Sequence, residues 1–295
     1  MKVSIITPTY NRRSLLKKLC KSIVENLKYN VDIEWVIIDD GSADDTRGSV
    51  QRYPKELDIK YFYQENQGKM AALNNGIAKC TGDLIIEMDS DDTFTKDAMD
   101  LIKIAYEQSK NEEDIYALCF LKYDNFGNNI GKDFESIKTT MFDLYFKKGE
   151  SGEKALVFFA DKRKEFTYKI EEGERFVTEA RMFHKMDLKY KIKCYNEPIM
   201  LCEYQQEGYS KNITEIFEKN PKGYYEYFKE MFSQDMEGML FKKRMYIVKH
   251  YILFSYLCKQ KNILAPVKGK MNKFLIALLY VPGVLKTKFM FKKKK

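Results

Sequence analysis

Several absences narrow what this chain can do. Among 295 residues there are only two histidines, His184 and His250, which excludes multi-histidine metal sites and makes a Ser-His-Asp arrangement a poor fit. Both read as surface or packing residues. The six cysteines, Cys20, Cys80, Cys119, Cys194, Cys202 and Cys258, are scattered without a C-x-x-C pair, so no disulfide framework is expected. No signal peptide precedes "KVSIITPTY", which itself reads as a first strand, and the expectation is a cytoplasmic protein with reduced thiols. There is no G-x-x-x-x-G-K-[ST] loop and no G-x-G-x-x-G after that strand. Acid is missing altogether from Gly238 to Lys295, where Lys or Arg occurs 15 times.

What is present describes a globular chain, 44% hydrophobic and 32% charged, long enough for one large domain or a domain with an appendage. The net charge of +8 divides into −5 over residues 1–215 and +13 over residues 216–295. The first half alternates short apolar runs with helical patterns, the signature of βαβ units and a mostly parallel sheet. "VSIIT", "IEWVIID", "IKYFYQ" and "DLIIEMD" are the expected strands. In "SLLKKLCKSIVENL", Ser14 is expected to cap a helix that aligns Leu15, Leu16, Leu19, Ile23 and Leu27 on one face. "GKMAALNNGIAKC" and residues 97–109 read as further helices, and "IYALCFLKYDNFGNN" as a strand entering a hairpin turn. Beyond about Phe134 the alternation fades into a mixed region, with strands near "ALVFFA" and "IMLCEYQ" and a helix near "FVTEARMFHKM". The expected division is an α/β Rossmann-like domain over 1–215 and a basic, aromatic-rich helical region over 216–295.

In open α/β sheets ligands bind beyond the carboxyl ends of the strands, so "TPTYN", "DDGS" and "DSDD" should converge on one crevice. Asp89 and Asp91, two residues apart on an extended segment, would face one space and turn Ser90 away from it. Paired carboxylates without His or Cys nearby suit Mg2+ or Mn2+, which bind through one or two carboxylates plus substrate phosphates. The alternative is that Asp91 or Asp92 caps the next helix. Asp39 and Asp40 alternate across their strand, so at most one looks into the crevice, where it could accept a hydrogen bond from the imide of uracil. Tyr10 could stack on a base or simply pack.

The segments "IITPTYNRRSLLKKLCKSI", "WVIIDDGSADDT" and "ENQGKMAALNNGIAKCTGDLIIEMDSDD", in that order and spacing, resemble family 2 glycosyltransferases of the GT-A fold. The likeness is strong over residues 1 to about 130 and continues more weakly to about 212. It implies an inverting transfer of a hexosyl or N-acetylhexosaminyl group from a nucleotide diphosphate sugar, usually a UDP-sugar, with Mn2+ or Mg2+. By position, Pro8 and Tyr10 would frame the base, Asp40 would read uracil, and Asn66 and Gly68 would line the nucleotide floor. Asp89 and Asp91 would be the D-x-D pair with Asp91 the metal ligand, Ser90 would lie against the nucleotide, and Asp39 and Asp92 could assist. Many members carry Arg before the Asn at position 74, where this chain has Leu73; Lys69 is the candidate to supply that charge to the diphosphate.

Such a transfer needs a base for the acceptor hydroxyl, and one carboxylate suffices. The resemblance places an acid at a helix start after the D-x-D, which selects Glu179 in "GERFVTEARMF", with Glu174 in reserve. In "EYQQEGYSKN", Ser210 stands where the family has a segment that folds over the diphosphate, though neither His nor Arg is near it.

The basic C-terminal segment mixes Phe, Tyr and Leu with lysine, and its longest uncharged stretch, Phe274 to Leu285, is 12 residues against the roughly 20 that span a bilayer. It is read as a membrane-surface helix, since lysines near anionic lipid contribute about 1 kcal/mol each. The competing readings are a packing module with solvated lysines, or contact with nucleic acid, which an acidic crevice disfavours. The functional expectation is a glycosyltransferase of bacterial surface polysaccharide synthesis, acting on a saccharide or lipid-linked acceptor at the cytoplasmic membrane face without nucleic acid. The alternatives are a catalytically impaired nucleotide-sugar-binding adaptor, or a sugar nucleotidylyltransferase, whose Gly-rich loop "TPTYNRR" lacks.

Overall fold

The computed structural model describes residues 1–203 and 213–292. Among the described residues nine strands form one sheet: β1 (Lys2–Thr9), β2 (Asp32–Asp40), β3 (Asp58–Gln64), β4 (Leu84–Glu87), β5 (Asp92–Phe94), β6 (Ile115–Asp124), β7 (Lys138–Thr139), β8 (Lys154–Phe159) and β9 (Lys191–Cys202). Their order is β3-β2-β1-β4-β8-β6-β9-β5, with β7 also pairing β9. The first four strands are parallel, β8 runs antiparallel to both β4 and β6, and β9 is parallel to β6.

Burial on both faces explains the continuous apolar runs. Ile5, Trp35, Ile37 and Ile86 share one cluster with Leu16, Leu19, Cys20 and Ile23 of α1 (Arg13–Asn26). Ile6, Val36, Ile38 and Ile85 share another with Met70 and Leu73 on the opposite face. Removing a side chain of this kind from water is worth about 1.5–3 kcal/mol.

Three local expectations change. Ser14 does not cap α1, because the helix begins one residue earlier and Arg12 occupies the N-cap position; Arg13 N–H instead donates to Asp44 Oδ2 at 3.2 Å, from the loop after β2. The last sheet strand begins at Lys191, well before "IMLCEYQ", since β6 and β7 pair with its charged first half. Neither Asp91 nor Asp92 caps a helix, because Asp92 opens β5 opposite Cys202, and the following helix, α4 (Ala98–Ser109), has Asp97 at its N-cap.

Two short helices, α2 (Thr46–Val50) and α5 (Ala160–Arg163), and the longer α3 (Lys69–Ile77) and α6 (Glu179–Asp187) complete the sheet layer. The C-terminal helices are α7 (Ile213–Lys219), α8 (Pro221–Glu230), α9 (Phe241–Leu257) and α10 (Lys270–Lys292). They enclose a third cluster rich in aromatics, which includes Phe142 and Phe146. His184 of α6 lies within it, stacked on Tyr227 with ring centroids 5.6 Å apart, and burial pushes its imidazole down to about 3, so it packs as a neutral ring. His250 stacks on Phe228 at 5.1 Å. Both histidines therefore pack, and among the described residues neither is hydrogen-bonded to a carboxylate. Among the described residues no helix is long and apolar enough to cross a membrane.

Candidate active site

The carboxyl ends of β1, β2 and β4 lie side by side in the parallel register, and the loops leaving them are tied together. Asn11 N–H donates to Ser42 Oγ at 2.9 Å, and Asn11 Oδ1 accepts Ala43 N–H at 2.7 Å. Pro8 is buried at the end of β1, and Tyr10 just beyond it is 50% exposed. A ring so exposed at the rim is free to meet a flat ligand.

Asp39 and Asp40 do point opposite ways, and both carboxylates already hold the fold. Asp39 Oδ1 accepts Ser42 N–H at 2.7 Å and Oδ2 accepts the Tyr61 hydroxyl. Asp40 Oδ1 accepts Gln64 Nε2 at 2.8 Å and Gln67 N–H at 2.9 Å, while Oδ2 accepts Gly68 N–H at 2.8 Å. Asn66 Nδ2 closes the same turn on the Asp40 carbonyl at 2.8 Å, so Asp40, Asn66 and Gly68 form one unit at the start of α3. Gly68 has φ +94°, and a Cβ there would lie 2.6 Å from the Arg175 carbonyl oxygen, so only glycine fits.

The "DSDD" segment is a turn, not an extended strand, with Asp92 N–H donating to the Asp89 carbonyl at 3.1 Å. The same-side geometry expected of Asp89 and Asp91 therefore does not apply. The turn directs Asp89 to Lys69 Nζ at 2.7 Å and Asp91 to Arg12 Nη1 at 3.1 Å. Ser90, expected to face away from the crevice, is buried and accepts from Arg12 Nη1 at 3.3 Å. Asp92 is buried against Lys122 Nζ at 2.8 Å, which separates it from its two neighbours' partners.

Lys69 joins two regions that the sequence keeps 110 residues apart: its Nζ also lies 2.8 Å from Glu179 Oε1, at the first turn of α6. Burial alone would lower the Lys69 pKa, but Asp89 and Glu179 outweigh it and hold the ammonium well above the usual lysine range. Burial would likewise raise Asp89, and Lys69 with more distant cations brings it below the ordinary carboxylate value. Asp91 goes the other way, raised by burial and by Asp89 and Asp92 against the pull of Arg12. That carboxylate has less positive charge near it than its surroundings call for.

The loop that delivers Glu179 is held from two sides. Asn74 grips the backbone of Tyr168, accepting its N–H at 2.9 Å and donating to its carbonyl at 2.8 Å. Asn220, just before α8, accepts the N–H groups of Arg175 and Phe176, both at 3.0 Å. Glu174 is occupied at the same junction, accepting Lys222 N–H at 2.6 Å and Gly223 N–H at 2.8 Å, so it caps α8 and does not turn toward Lys69. Arg175 Nη1 reaches Asn66 Oδ1 at 3.2 Å, across the crevice floor. Ser210 lies outside the described residues.

Sequence reasoning missed Arg12 and Arg175. The paired arginines in "TYNRR", directly after β1, were the available signal for the first. Nothing local marked the second. Among the described residues no group of three or more His, Cys, Asp or Glu forms a ready metal cage. Two carboxylates of hard oxygen type, one of them short of positive charge, nevertheless fit an ion that takes its remaining ligands from phosphate and water.

Known proteins identify the family and the fold. The chain is 35% identical over 138 residues to the GalNAc(5)-diNAcBac-PP-undecaprenol beta-1,3-glucosyltransferase of Campylobacter jejuni, which covers 45% of this chain and 42% of that protein. It is 36% identical over 141 residues to an uncharacterized glycosyltransferase of Rickettsia conorii, covering 48% and 22%. The chain thus spans less than half the length of these curated relatives. Among solved structures, Staphylococcus aureus TarS 1–349 in complex with UDP-GlcNAc superposes with a TM-score of 0.68 at 15% identity, covering 100% of this chain and 93% of that one. The mannosyltransferase PcManGT of Pyrobaculum calidifontis, in complex with GDP-Man and Mn2+, gives 0.56 at 17% identity, covering 97% and 83%. These likenesses establish the GT-A type of fold. The model described as "Glycosyl transferase family 2" matches residues 4–166, more than half of the sequence, and the chain belongs to that family.

Proposed function

We propose that the protein is an inverting glycosyltransferase that moves a sugar from a UDP-sugar to a hydroxyl of a glycan or lipid-linked saccharide, in bacterial surface polysaccharide synthesis. The observation that carries this reading is the double ion pair of Lys69, which puts a D-x-D carboxylate, Asp89, and the acid at the start of α6, Glu179, on either side of one ammonium. A leaving diphosphate calls for positive charge and an attacking hydroxyl for a carboxylate, and this site brings one of each together.

In the proposed reaction Glu179 accepts the proton of the acceptor hydroxyl as its oxygen forms the new bond to the anomeric carbon. The bond from that carbon to the β-phosphate oxygen breaks, and UDP leaves with the electron pair. Lys69 moves its charge from the two carboxylates to the diphosphate, which frees Glu179 to act. Tyr10 and Pro8 frame the base, and the Asp40, Asn66 and Gly68 turn supports it. Asp91, with Asp89, would hold Mn2+ or Mg2+, which when bound neutralises charge on the diphosphate. Leu73 is buried in the apolar cluster beneath the sheet, where a guanidinium would be stranded, and Lys69 one helical turn earlier carries the charge instead.

A lipid-linked acceptor, as in the name of the Campylobacter relative, would set the reaction at the cytoplasmic face of a membrane with the protein held there peripherally. A thermal-shift panel of nucleotide sugars with Mn2+ tests the donor. A UDP-sugar at 100 times its Kd should stabilise the native state by about 2.7 kcal/mol, and a shift given only by other nucleotides would remove uridine from the proposal.

A further inference from the structure

α10 has two opposite faces. On one, Leu275 and Ile276 are buried and Leu279, Tyr280 and Val284 are partly buried, against a cluster that includes Ile247, Val248, Tyr251 and Ile252 of α9. Gly283 permits that approach, since a Cβ there would stand 2.9 Å from Ile252 Cγ2. The helix therefore cannot roll on its neighbour without breaking this contact.

On the other face Met271, Phe274, Leu278, Val281 and Leu285 are each 57–66% exposed. Their spacing of three and four residues sets all five on an arc of about 80°, along about 21 Å of helix. Lysines border the arc: Lys270, Lys273 and Lys288 on one side and Lys286 on the other, all exposed. No acidic residue occurs in α10. A contiguous apolar ridge of this size, fixed outward by packing behind it, is more than scattered surface hydrophobicity.

We infer that α10 lies flat in an anionic lipid surface, its apolar ridge among the acyl chains and its lysines at the headgroups. This deepens the reading of a lipid-linked acceptor, and for its biological purpose rests on it. Packing α10 on the α10 of a second copy would oppose lysine to lysine with no acid to pair them, and a nucleic acid backbone would leave the ridge without a partner.

Flotation of the full chain with vesicles tests this. Wild type should float with phosphatidylcholine vesicles containing about 30% phosphatidylglycerol and stay behind with pure phosphatidylcholine. The double variant Phe274→Glu with Leu278→Glu, checked for unchanged circular dichroism, should lose about tenfold or more of that partition. Lys270→Gln with Lys273→Gln and Lys286→Gln leaves the ridge intact and should lower binding and its salt sensitivity together, which decides the matter if the first variant misfolds. Equal flotation of wild type and variants overturns the proposal, as does equal binding to neutral vesicles. A wild-type dimer that the double variant dissolves, or retention by RNA, with no vesicle-bound fraction in either case, overturns it too. Vesicle binding lost in the variants supports it whether or not the protein turns over a donor, so failure of the catalytic reading is seen separately.

Discussion

Lys69 has one charge and two acidic partners, and its replacement separates the roles assigned around it. Lys69→Met leaves Asp89 and Glu179 facing each other without a counter-ion, and should lower kcat for the UDP-sugar by roughly 10²–10³ with a raised KM, measured by UDP release. Lys69→Arg should recover part of kcat. Equal kinetics in wild type and Lys69→Met would show that the bridge is incidental. At this scale the sequence was informative about place, setting Asp89, Asp91 and Lys69 in one crevice at the carboxyl end of the sheet, while their roles rest on the proposal. It was blind to the Lys69 to Glu179 contact, because nothing local records that α6 is folded back onto the start of α3. It also read "DSDD" as extended, since a four-residue turn and a strand end have the same composition.

α6 carries the proposed base, Glu179, and the C-terminal helices hold it. Arg181, two residues after Glu179 and almost wholly buried, pairs with Glu230 of α8 through Nη2 at 2.9 Å and Nε at 3.1 Å, and with Glu171 at 2.9 Å. Removing one partner of a buried pair strands the other charges, so Arg181→Met should destabilise the fold by about 3 kcal/mol. Because α6 carries Glu179, kcat should fall as well while UDP binding is retained. Denaturant unfolding and UDP titration check the two parts; loss of UDP binding with unchanged stability would contradict them. The parallel strands and α1 were legible because burial on both sheet faces writes continuous apolar runs and a helical stripe. Within residues 134–190 the strand at "ALVFFA" and the helix at "FVTEARMFHKM" were legible too, but the connections between them were not, because side-chain grips such as Asn74 on Tyr168 and Asn220 on Arg175 and Phe176 hold them, and such grips leave no periodicity.

The whole molecule joins an acidic crevice to a basic, aromatic C-terminal region, and its contacts make the two interdependent. Asn220 and the start of α8 anchor the loop before Glu179, so the helices that present α10 outward also steady the candidate base. Sequence composition revealed the charge division and the helical character of residues 216–295. It could not reveal that these helices share a core with Phe142 and Phe146, which come from the preceding region. The central claim is that one crevice binds a UDP-sugar and uses Glu179 to activate the acceptor. The most direct measurement is UDP release with Mn2+ and membrane lipid extract for wild type, Asp91→Asn and Glu179→Gln, with UDP binding followed in parallel. The expected result is metal-dependent release by wild type, loss of release and weakened nucleotide binding in Asp91→Asn, and in Glu179→Gln binding like wild type with turnover reduced at least about 10²-fold. Wild-type turnover in both variants would contradict it.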